Sequence, residues 1–169
     1  MVFITAFEVP VQADDRFIAG WERERPAATL HRALRRDVRF RFVSVAGVAD
    51  TVELPFDTHS GRYEIAHEDG TAMGTQGVTL INPFEVAPDD DEAFLAGWNR
   101  AREAVAGCPD YLGTRLHRAV GAADFRFVNV ARWSSPLAFS KAIGRPEFEQ
   151  TAAAMPFASH PALYTVVSD

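Results

Sequence analysis

The sequence predicts an α+β fold made of two tandem ferredoxin-like units, the first of them truncated. Three observations predict it. The chain repeats itself in five blocks that keep the same order. Its second half switches between strand-like and helix-like periodicity in the order β-α-β-β-α-β, the split β-α-β pattern. Of the 169 residues, 47% are apolar and 11% aromatic, enough to bury a substantial core.

The spacing of the blocks locates the differences between the copies. "ITAFEV" (4–9) returns as "INPFEV" (81–86), and "FIAGWERER" (17–25) as "FLAGWNRAR" (94–102), both 77 residues on. "LHRAL" (30–34) returns as "LHRAV" (116–120) at 86, and "FRFVSVA" (40–46) as "FRFVNVA" (125–131) at 85. Pro55, Phe56, His59 and Tyr63 return as Pro156, Phe157, His160 and Tyr164 at 101. The second copy is therefore longer between its first helix and second strand, and again between its third and fourth strands. The polar, Gly-rich stretch "EDGTAMGTQG" (68–77) reads as a linker and sets the units at 1–72 and 73–169.

Each element of the second unit has a local reason. A strand is predicted over about 78–86, ending at Ala87-Pro88. A helix follows over about 89–106. Asp89, Asp90, Asp91 and Glu92 suit the positive end of its dipole, while Phe94, Trp98, Ala101 and Val105 form one apolar stripe. Gly107 and Pro109 stop it. Strands follow at about 111–120 and 124–133. Ser135 before Pro136 supplies a cap and a first-turn proline and opens a second helix. Gly144 and Pro146 break that helix, "PEFEQTAAAM" forms a further helical piece, and a last strand covers about 160–167. The first unit keeps the order with a shortened first helix. Where its second helix would stand there is only "VADTVELPFD" (48–57), so one face of its sheet is covered otherwise or stays partly open.

Composition narrows the function. The formal charge of −6 argues against a nucleic-acid or anionic-membrane partner, since phosphate binding needs clustered Lys and Arg. The Arg run in "RALRRDVRFR" is offset by acids elsewhere and reads as a solvated face. The single cysteine, Cys108, allows no internal disulfide and reads as a small structural residue. The start "MVFITAFEV" lacks a basic stretch, and no segment approaches the roughly 20 apolar residues of a membrane span, so a soluble cytoplasmic protein is expected. No Cys/His spacing suits a metal, and no phosphate loop or Ser/His/Asp order is visible.

The third strand of the second unit is unusual. In "FRFVNVARW" (125–133), Phe125, Phe127, Asn129, Ala131 and Trp133 alternate onto one face. On the first strand Leu80, Asn82, Phe84 and Val86 share a face. First and third strands are central neighbours in this pattern, so two amides and an indole N–H come to one apolar space. Left unpaired there, each costs about 1–3 kcal/mol, so they pair locally or await a ligand. The first unit keeps the aromatic scaffold but has Thr5, Ser44 and Val48 at these positions. A packing requirement would be kept alongside Phe40 and Phe42, so the difference favours a pocket in the second unit. His31 with His117, and His59 with His160, recur in both units and read as structural, with His67 unmatched.

The run "LHRAVGAADFRFVNVARWSSPLAFSKAIGRPEFEQ…PFASHPALYTVV" resembles the antibiotic biosynthesis monooxygenase family of the dimeric α+β barrel superfamily. Its specific parts are Asn-x-x-x-Trp on the third strand, the Ser-Pro-x-Ala-Phe helix opening and the ending His-Pro-x-x-Tyr. The resemblance spans all of the second unit but only the strands and first helix of the first. It implies that the two units pack sheet against sheet as an intramolecular pseudo-dimer, a dimeric α+β barrel in one chain, with the first unit mainly structural. Further self-association stays open.

The resemblance also implies a small cofactor-independent oxygenase. It would act with O2 on a polycyclic aromatic such as a polyketide-type phenol, anthrone or quinol. Asn129, Trp133 and Asn82 are then the expected catalytic residues. Trp98, Phe127, Phe139 and His160 are the expected substrate contacts. Neither a metal nor a cofactor is expected, and no general base is assigned. Two other readings share the pocket. One is a non-oxidative binding or cyclase-like module of a biosynthetic pathway. The other is haem binding: haem-degrading members of the fold use a first-strand Asn, a third-strand Trp and a second-helix His. Asn82 and Trp133 match that set, but the second helix contains no His.

Overall fold

The computed structural model describes residues 1–24, 26–47, 52–70 and 76–168. Its first half runs β1 (Val2–Glu8), α1 (Asp14–Glu24), β2 (Ala28–Ala33), β3 (Phe42–Ala46) and β4 (Asp57–Gly70). The second half runs β5 (Val78–Glu85), α2 (Asp91–Ala106), β6 (Tyr111–Ala119) and β7 (Phe127–Trp133). Helices α3 (Pro136–Ile143) and α4 (Pro146–Ala153) follow, then β8 (Ala158–Ser159) and β9 (Ala162–Ser168). The cap expected at Ser135 forms: its hydroxyl accepts the Ala138 N–H at 3.1 Å, with Pro136 in the first turn.

Pairing gives each half the same strand order. β1 pairs β3 and β4, and β3 pairs β2. Likewise, β5 pairs β7 and β9, and β7 pairs β6, all antiparallel. Antiparallel pairs β4–β6 and β2–β9 then join the halves. The ring β5-β7-β6-β4-β1-β3-β2-β9 closes on itself, an α+β barrel in which none of its eight strands is left with a bare edge.

The barrel interior is filled by matched residues from both halves: Ile4 and Ile81, Val43 and Val128, Tyr63 and Tyr164, Phe40 and Phe125. The match extends to polar detail. Tyr63 donates to the Phe125 carbonyl at 3.2 Å, and Tyr164 to the Phe40 carbonyl at 2.9 Å, so each half clasps the other. Outside, each first helix lays a ring on the third strand. Phe17 stacks on Phe42 with centroids 4.2 Å apart, and Phe94 on Phe127 at 4.3 Å. Each helix start is pinned by an ion pair of 2.6 Å, Asp14 to Arg41 and Asp91 to Arg126.

Three expectations are corrected. Phe125 does not share the face of Phe127. It precedes the first residue of β7 and turns into the barrel end, its ring 5.4 Å from that of Phe40. Arg41 is not on a solvated face: it is buried, because Asp14 neutralises it and the Ala33 and Arg35 carbonyls accept its remaining protons. Glu68, Asp69 and Gly70 are not linker but the end of β4, held in register by Arg115, Thr114 and Gly113 of β6. The unit boundary near residue 72, and Val48, lie outside the described residues. The first half's exposed sheet face is covered by α1 and by Val52, Leu54 and Phe56, which pack on the Phe17 and Trp21 cluster.

Candidate active site

On the outer face of β5, β6 and β7, α2 and the α3–α4 pair leave a cavity of about 290 Å³. That is close to the lower end of the roughly 300–1,000 Å³ common for small-molecule pockets. Leu80, Ala131, Phe139, Ile143 and Phe148 give it apolar walls. Among its polar lining, Asn82 and Asn129 are direct cross-strand partners, and Trp133 lies further along the same face, opposite Val78. The strand order accounts for this: β5 and β7 are adjacent, and residues two and four apart on one strand share a face.

Three polar atoms of lining residues lack a partner among the described residues: Asn82 Oδ1, an acceptor, and the donors Trp133 Nε1–H and Arg102 Nε–H, all buried. Asn129 differs, because its Oδ1 accepts the Thr114 hydroxyl at 2.6 Å. That bond turns the Asn129 NH2 away from Thr114. The Trp133 ring is fixed edge-on by Tyr111 at 5.3 Å and Phe139 at 5.6 Å.

Behind the lining, Asp69 of β4 ties together three of its residues, Tyr111, Thr114 and Arg102. Asp69 Oδ1 accepts the Tyr111 hydroxyl at 2.8 Å and the Thr114 N–H at 3.1 Å. Its Oδ2 accepts Arg102 Nη1 at 2.9 Å and faces His67 Nε2 at 3.4 Å. Burial opposes the ionisation of Asp69, but the bonds from Tyr111, His67, Thr114 and Arg102 together hold its carboxyl below the usual range. Tyr111 is pushed up, first by burial and then by its bond to Asp69, so its hydroxyl stays protonated.

Of the residues expected from the sequence, Asn82, Asn129, Trp133, Trp98 and Phe139 line this cavity. Two do not. Phe127 is fully buried beneath Phe94, where it serves the same stack as Phe42 in the first half. His160 sits on the other side of Phe139, in a second hollow of about 670 Å³, with Nε2 2.8 Å from Glu85. Thr114, Tyr111, Arg102 and Asp69 were not anticipated. Thr114 was reachable, since it lies two residues before Leu116 on the helix-facing side of β6. Asp69 was not, because it sits in the stretch that composition assigns to a linker.

The barrel and its lined cavity define a ferredoxin-like α+β barrel. Residues 77–154 match the model of the antibiotic biosynthesis monooxygenase family. An anthrone oxidase-like protein is similar in structure over 99% of this chain and 90% of its own, with a TM-score of 0.75 and 11% identity. LmHde, a heme-degrading enzyme from Listeria monocytogenes, is similar over 97% of both chains, with a TM-score of 0.57 and 17% identity. At these identities the likeness establishes the fold. A mutant of SnoaB, a cofactor-independent oxygenase from Streptomyces nogalater, is 28% identical over 54% of this chain and 94% of its own, with a TM-score of 0.49. No curated protein sequence matches the chain.

Proposed function

We propose that the protein is a small oxygenase that uses O2, without a cofactor, to oxidise a polycyclic aromatic phenol, anthrone or quinol in the second-half cavity. One observation carries the reading: a buried unpaired acceptor on Asn82 and a buried unpaired donor on Trp133 line the same apolar cavity. A ligand with an O–H for Asn82 and an oxygen for Trp133 satisfies both. The family match supports the reading.

The chemistry asks little of the protein. Triplet O2 reacts slowly with closed-shell molecules, so the substrate must supply the first electron, and an anthrone does so once deprotonated. The ring carbon then bonds to oxygen as a hydroperoxide. Loss of water leaves a carbonyl, with one oxygen atom in the product and the other in the water. The apolar walls shield the reacting ring, Asn82 and Asn129 orient the ring oxygens, and Trp133 Nε1–H donates to the oxygen on which charge develops.

The test is O2 uptake with a dihydroxyanthrone, with labelled O2 followed into the product. Trp133→Phe and Asn129→Ala each lower the rate, by roughly 100-fold for loss of one such donor. Unchanged turnover in both removes these residues from the chemistry. Tight binding with no label in the product replaces the oxygenase with a non-oxidative binding module.

A further inference from the structure

Arg102 has no role in the chemistry above, yet it lines the cavity one residue beyond Ala101 and four beyond Trp98 on α2. Its guanidinium is charged at every working pH and carries five N–H donors. Nη1 is taken by Asp69 at 2.9 Å. Nη2 lies 3.8 Å from Glu103, whose side chain is 69% exposed and therefore screened by water. Nε is buried and has no partner among the described residues. A buried charged donor left unpaired costs more than a neutral one, so this N–H calls for an acceptor that bears charge.

Asp69 meets that charge at Nη1 only. Its two oxygens also take the Tyr111 hydroxyl, the Thr114 N–H and the His67 contact, and neither reaches Nε. The Nε–H is therefore the donor of this guanidinium left for a further acceptor. The groups facing this guanidinium are thus Asp69, His67, Tyr111 and the exposed Glu103.

We infer that Arg102 is the anion-binding residue of the cavity and receives the oxygen of a bound phenolate on its free Nε–H. This rests on the proposal that a phenol, anthrone or quinol binds there. The phenolic O–H bond breaks with its electron pair left on oxygen, and the proton passes to solvent. Ionisation of that kind is the step that makes such a substrate able to donate an electron to O2. Asp69 acts through Arg102 and is a positioning residue. It comes from β4, so the first half of the chain completes the site of the second.

The test uses para-nitrophenol, whose ionised form absorbs visible light, titrated free and bound to the full chain. Bound probe is expected to ionise at a pH lower by about one unit than free probe, because a nearby cation outweighs burial. Arg102→Gln reverses the sign, since burial alone favours the neutral phenol, whereas Arg102→Lys keeps part of the lowering. Bound probe that ionises at or above the pH of free probe overturns the role of Arg102 and leaves the substrate reading intact. Absence of binding at saturating protein overturns both. The unmutated protein alone decides the sign, whatever the stability of the variants.

Discussion

Replacing Thr114 with Val isolates the bond that orients Asn129. The substitution keeps the shape of the side chain and removes only its hydroxyl. The backbone N–H of Thr114, which donates to Asp69 at 3.1 Å, is untouched. What disappears is the 2.6 Å donation to Asn129 Oδ1, together with a longer 3.2 Å contact to the Val130 carbonyl. Thr114 is 1% exposed and Asn129 9%, so water does not readily replace the lost donor. An orphaned buried acceptor costs about 1–3 kcal/mol, and Thr114→Val is expected to fall in that range. The measure is urea unfolding at constant slope, so that a change in midpoint reports stability. The decisive arm is a double-mutant cycle with Asn129→Leu. Once the amide is gone, Thr114→Val should cost little, which leaves a coupling of at least about 0.5 kcal/mol. Additive costs would refute the claim that Thr114 acts on Asn129, and unchanged stability in the single variant would refute its desolvation.

Two further outcomes follow from burial. His117 is lowered to about 4, chiefly by burial and only partly offset by its bond to the Val128 carbonyl, so the unfolded chain binds its proton first. Stability should therefore fall as pH drops from about 6.5 towards 5, part of a total on the order of 3 kcal/mol, and denaturant midpoints in His117→Gln should show a shallower slope; an equal slope removes His117 as the cause. At Gly97 on α2, an added Cβ would lie 3.0 Å from Met155 Cγ, and Met155 borders the cavity. Gly97→Ala should leave the unfolding midpoint within about 1 kcal/mol, helix propensity offsetting the crowding, while weakening para-nitrophenol binding as Met155 is pressed inward. Unaltered affinity would show that Met155 moves elsewhere.

Local patterns carried much of the fold. The Ser135–Pro136 helix start, the apolar stripe of α2 and the Asn82–Asn129 adjacency all follow from periodicity and from the order of strands within one half. What was hidden depends on contacts between the halves. Phe125 and Phe40 leave their strand faces because each meets the other across the barrel, with its carbonyl held by a tyrosine of the opposite half. Asp69 belongs to a strand only because β6 lies beside it. No property of "EDG" indicates that partner. Arg41 reads as surface charge until Asp14, 27 residues earlier, is placed against it.

The matched frame makes the unmatched positions informative. Thr5 and Ser44 occupy the same cross-strand register in the first half as Asn82 and Asn129 do in the second. The short Thr5 hydroxyl is satisfied by Ser60 at 3.0 Å. Leu54 and Phe56 then close directly over α1, and Phe56 reaches within 5.6 Å of the Phe17 ring. The second half has longer amides at that register and spans them with α3 and α4, whose Ala138, Ala142 and Ala152 are small. Longer polar groups under a raised cover leave space and unpaired atoms, where short ones under a close cover leave neither. Packing alone would have favoured the first solution twice. Its use on one side only, with Asp69 reaching from that side to Arg102, Tyr111 and Thr114 of the other, is the arrangement that the proposed ligand site in the second half calls for.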